Sequence, residues 1–258
     1  MFGSIAEWFE AAGSRGSSLP LAVLRAEEKE TGADGDQIRE RIRETLAVMR
    51  AAVDEGLRSS EQSPTGLTGG RAKRLAQGGP SLLGPDFSVM LSRAIATLEV
   101  NARMGLIVAA PTAGAAGVVP AVLFTLEGKR GWSPDQLIDG MLVAGGVGAV
   151  IAQRASIAGA GGGCQAETGS AAAMAAAAVT YLEAGVPEQV AQAVAFTLQG
   201  MLGVGRKMDV RYRETALGGL ASTPAGQEIA RRAGMSELVQ LQRRGSTAGE
   251  GSARFGPS

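Results

Sequence analysis

A chain of 258 residues, 45% of them hydrophobic, can bury a sizeable core, either as one large domain or as one domain with a smaller companion. Its 25 basic and 25 acidic side chains cancel without forming a like-charge block, so it carries no electrostatic footprint for nucleic acid. The absence of histidine excludes a Ser–His–Asp triad, a Cys–His pair and an HExxH zinc site, and a single cysteine excludes an internal disulfide framework.

The first 16 residues read as a short amphipathic helix or a fraying terminus, without the basic flank and long apolar run of a secretory leader. The lone cysteine suits a reducing compartment, and a cytoplasmic setting is expected. From Leu21 to Glu30 the spacing is helical, and Thr31–Gly32 ends it. Ile38, Ile42, Leu46, Met49 and Val53 step by four, four, three and four, which puts them on one helix face, with Gly56 near an expected C-cap. Residues 59–85 are rich in Gly, Ser and Pro, so they read as loop, with one helical turn around Ala72 to Gln77. Ser63, Thr65, Thr68, Gly69 and Gly70 offer donors that suit a small anion, or else form a solvated linker.

A second clear helix is predicted from about Phe87 to Met104, followed by a short extended apolar run over 106–110. The small residues from Pro111 to Gly117 then make a turn into a helix beginning at Val118. Such a turn directs backbone N–H groups to a helix N-terminus, a place for a carboxylate or phosphate. It lacks the lysine of a phosphate loop. Ser133–Pro134–Asp135 caps the next helix, which carries Leu137, Ile138, Met141, Leu142 and Val143 towards Ile151. Its most apolar stretch, Met141 to Ala152, and the run from Ala171 to Leu182 both fall short of the ~20 residues a membrane span needs.

Between these helices lies the one stretch that puts scarce chemistry on a prepared backbone. Gly161, Gly162 and Gly163 lead into Cys164, Gln165 and Glu167, and Gly169 and Ser170 open an alanine-rich helical run. Cys164 at a helix start is either a reactive or metal-binding thiol or a packed structural residue. A helix from Val186–Pro187–Glu188 through Leu202 follows, then a break at 203–209, the segment 212–221, and a last helix ending near Arg232. Lys129 and Lys207 stand outside any motif and receive no catalytic role. No strand alternation appears, so the fold class is all-α, with residues 1–240 as one helical domain and 241–258 as a disordered tail.

Five segments, in order, resemble the α chain of iron–sulfur-dependent bacterial L-serine dehydratases. They are MRAAVDEG (49–56), SPTGLTGG (63–70), AAPTAGAAGVVPA (109–121), GGCQAETGSAAAMAAA (162–177) and RETALGGLA (213–221). The resemblance covers roughly residues 18–234 and implies a lyase that turns L-serine into pyruvate and ammonia with a [4Fe–4S] cluster and without pyridoxal phosphate. It implies a β chain or a second copy as partner. Cys164 matches the first of the family's three cluster cysteines. The segment that carries the other two is missing after Gly203, so one thiolate stands where three are needed. Position and chemistry, apart from the resemblance, make Thr112, Gly114 and Gly117 a candidate substrate-carboxylate cradle, and Gln165 and Glu167 candidate outer partners of a cluster.

Overall fold

A computed structural model describes residues 2–13, 18–78, 82, 84–155, 157 and 164–202. Among these every regular element is helical, as the all-α expectation requires. The expected break after Gly203, the segment 212–221, the last helix, Lys207, the tail and the glycines 161–163 lie outside the described residues.

The helices are α1 (Ile5–Ala12), α2 (Leu19–Thr31), α3 (Gly35–Arg58), α4 (Arg71–Ala76), α5 (Pro85–Ala102), α6 (Val118–Arg130), α7 (Pro134–Arg154), α8 (Cys164–Leu182) and α9 (Pro187–Leu202), with a 3₁₀ turn at Ala113–Ala115. Their ends follow local chemistry. Asp34 and Ser133 close capping boxes with Gln37 and Gln136, and Gly32 and Gly131 end α2 and α6 in the left-handed conformation. Gly56 departs from the expected C-cap: α3 runs on to Arg58, and Gly56 is buried inside it. A Cβ at Gly56 would lie 2.3 Å from the carbonyl oxygen of Ala96, so the glycine serves a close crossing of α3 and α5.

The core centres on α7, packed by α2, α3 and α8. The start of α7 meets the end of α8, and the pairing is antiparallel: a Cβ at Gly140 would meet Leu182, and one at Gly148 would meet Met174. Trp8 fills the opposite side at Gly146 and donates its indole N–H to the carbonyl of Leu19. The Met141–Ala152 run therefore belongs to a helix of 21 residues, the one described helix long and apolar enough to cross a membrane. Its apolar side chains are buried by its neighbours, as in the central helix of a packed bundle. On the rim, Arg39 pairs with Asp139 at 2.6 Å and ties α3 to α7. Arg50 spans both carboxylate oxygens of Glu127 at 2.9 Å while lying over the ring of Phe124. Lys129 pairs with Asp86 at 2.6 Å on the surface.

Candidate active site

The turn after α5 is shaped by small residues. A cis Ala110–Pro111 bond leads into an extended Thr112, and the 3₁₀ turn then delivers the chain to α6. Two of its N–H groups are used internally, Ala115 donating to the Thr112 carbonyl and Ala116 to that of Ala113. Pro120 removes another donor from the first turn of α6, so the cradle is sparser than a helix start usually offers. Gly117 is buried, and a Cβ there would lie 2.3 Å from the Ala94 carbonyl oxygen. Its place is the close contact with α5, not the open side of the turn. Thr112 Oγ1 is buried and has no hydrogen-bond partner among the described residues. A buried hydroxyl without a partner carries a desolvation cost that a ligand oxygen can relieve.

The start of α8 closes on this turn. Cys164 is the first helical residue and is exposed, which overturns the packed-cysteine alternative. Gln165 is half-buried beside it. Glu167, three residues after Cys164 and so on the same side of the helix, brings its carboxylate to Gly114. A Cβ on Gly114 would sit 2.6 Å from Glu167 Oε2. Thr168 and Ser170 donate their hydroxyls to the carbonyls of Cys164 and Ala166, so neither hydroxyl is left unsatisfied. The structure thus joins Gly114 to Glu167, with Thr112 and Cys164 in the same two segments and Gly117 turned to packing.

Three residues near the end of α5 belong to the site's frame but to none of the five motifs. Glu99, buried, accepts from the Arg71 N–H at 2.8 Å and the Ala72 N–H at 3.4 Å, capping α4 and anchoring the end of the 59–70 loop. Asn101 reaches the Ala113 carbonyl at 3.5 Å. Arg103, its side chain buried, pairs with Glu55 at 3.0 Å and Glu61 at 3.7 Å, and its Nη1 has no partner among the described residues. The sequence signal was available for Glu99: a carboxylate among Ile95, Leu98 and Val100 must find donors. The 59–70 loop spends its donors on itself. Ser63 Oγ shares a hydrogen bond with Thr65 and accepts from the Thr68 N–H, and the Ser63 N–H donates to the Thr68 carbonyl.

One thiolate does not fit a [4Fe–4S] cluster. The chain has a single cysteine and no histidine, and no group of three His, Cys, Asp or Glu that could hold a metal occurs among the described residues. The more prominent concavities lie elsewhere. One of about 340 Å³, lined by Asp139 and Tyr181, sits at the far end of α8, roughly 25 Å along the helix from Cys164. Another of about 450 Å³ lies between α3 and α7. The first contains no residue of the five segments and the second only Arg50, Ala51 and Asp54 of 49–56, so neither coincides with the turn at Thr112 or the start of α8.

The serine dehydratase alpha chain family matches residues 14–205. A Bacillus subtilis protein named as a probable L-serine dehydratase, alpha chain, is 36% identical over 286 residues, covering 90% of this chain and 95% of its own. The L-serine dehydratase alpha chain of Peptoniphilus asaccharolyticus is 32% identical over 285 residues, covering 90% and 98%. An L-serine dehydratase of Streptomyces coelicolor is 37% identical over 198 residues, which are 74% of this chain but 43% of that protein.

Proposed function

This chain belongs to the serine dehydratase alpha chain family, and on that premise we propose that it is the α subunit of an L-serine ammonia-lyase of the iron–sulfur type, working with a β chain in the cytoplasm. The reaction removes the α proton and β hydroxyl of L-serine as water. The resulting aminoacrylate tautomerises to an imine, which water hydrolyses to pyruvate and ammonia. The observation that carries the reading is the approach of Glu167 to Gly114, which brings two of the resembling segments into one place.

The roles follow from charge. L-serine presents an ammonium and a carboxylate. Glu167, half-buried at the turn, accepts from the ammonium, and the Thr112 hydroxyl and the turn's backbone donate to the carboxylate. Cys164, exposed on the same side as Glu167, supplies one iron ligand. One thiol cannot hold an iron–sulfur cluster without ligands from another chain, and no residue here is assigned as the base.

The missing cluster cysteines are read as an internal deletion after Gly203. Two facts support this: the family match ends at residue 205, and the span aligned with the Bacillus subtilis protein, 286 positions, exceeds this chain's 258 residues. The single cysteine also favours a second reading, a cluster-less helical subunit that keeps the scaffold and binds its partner without turnover.

The two readings separate in an anaerobic assay with iron, sulfide and L-serine, run with and without the companion subunit. Pyruvate formed by the assembly supports the lyase. Its absence from an assembly that has formed supports the inactive subunit.

A further inference from the structure

From Ser92 onward, the described residues cover helix α5 on every flank but one. Ala96 lies under Gly56 of α3, Glu99 holds the start of α4, Arg93 reaches Thr125 of α6 at 3.0 Å, and Ala94 lies under Gly117 of the turn. The open flank carries Phe87, Leu91, Ile95, Leu98 and Ala102, which recur every three or four residues and form one stripe. Phe87, Leu91 and Leu98 are about two-fifths exposed, and past the helix end Met104 and Leu106 are 87% and 74% exposed. Around the helix, Ala94 and Asn101, which meet the turn, flank the stripe on one side, and Glu99, which meets α4, flanks it on the other. A polypeptide seated on the stripe would therefore border the Thr112–Gly117 turn.

We propose that this stripe docks a separate companion chain, the counterpart of what longer relatives carry in one polypeptide. This rests on the α-subunit reading. Residues making up 74% of this chain match only 43% of the Streptomyces coelicolor protein, so more than half of that protein lies outside the shared part. The Bacillus subtilis and Peptoniphilus asaccharolyticus proteins named alpha chains instead align over nearly all their length. A part joined covalently in one relative must be recruited through a surface when it is made separately. The uncovered apolar stripe beside an active site short of ligands is the surface for that purpose.

The test co-expresses the full chain with the polypeptide of its own source that matches the unaligned part of the Streptomyces coelicolor protein. A one-to-one complex is expected, and Leu91→Asp with Leu98→Asp should weaken it by about tenfold or more per substitution. Met104→Glu with Leu106→Glu, at positions too exposed to threaten folding, should weaken it in the same direction. The proposal is overturned if no complex forms, if both double variants bind like the wild type, or if the stripe pairs two copies of this chain instead. Pyruvate assays keep the two claims apart. A stripe-dependent complex without turnover of L-serine sinks the lyase and leaves docking intact, whereas turnover by a stripe-independent complex does the reverse.

Discussion

Two glycines three residues apart do different work, and substitution separates them. At Gly117 a Cβ meets the Ala94 backbone, which cannot yield, so Gly117→Ala should destabilise the fold by about 1–3 kcal/mol in urea unfolding. At Gly114 the obstacle is the end of a flexible Glu167 side chain. Gly114→Ala should therefore change stability by no more than about 0.5 kcal/mol. By displacing the carboxylate it should weaken L-serine binding about tenfold in calorimetric titration. Away from the site, burial, and secondarily the Asp139 charge, raises the Tyr181 hydroxyl pKa above its ordinary value. A raised folded-state pKa means that this contribution is whole below the unfolded tyrosine's pKa, near 10, and lost as pH rises through the folded one. Tyr181→Phe should thus lose less melting temperature than the wild type between about pH 9 and 11; equal losses would remove Tyr181 from the account.

At the scale of elements, α5 carries the site without belonging to its motifs. Glu99→Ala leaves the Arg71 N–H and the buried Ala72 N–H without their acceptor, at a cost of about 1–3 kcal/mol. Hydrogen exchange should quicken across residues 63–76 while α7 and α8 hold. Glu99→Gln, which keeps one acceptor, should recover part of the protection. Helix ends are legible because apolar spacing and caps are local: Ser133 and Gly32 mark them in the sequence and in the structure. Gly56 departs from the expected C-cap because a helix-ending glycine and a crossing glycine look alike in sequence, and only the structure puts Ala96 beneath it. The meeting of Glu167 with Gly114 joins residues more than fifty positions apart, and spacing carries no information about it. The clamp by Glu99, Asn101 and Arg103 was hidden for the same reason, although a charge inside an apolar helix face is a usable sign.

Across the whole molecule, a bundle centred on α7 presents one chemically distinct corner, where the Thr112 turn, the start of α8 and the open flank of α5 converge. That corner has one thiol, a carboxylate and an unsatisfied hydroxyl, and it borders the stripe proposed for the companion chain. Under the proposed function, the corner is part of a site to which Cys164 gives this chain's one thiolate ligand. The direct measurement is iron retained per chain after anaerobic loading of the companion-bound assembly, wild type against Cys164→Ala. Iron and visible colour are expected in the wild type, with both lost in the variant. Equal iron and colour in the two proteins would contradict this role for Cys164.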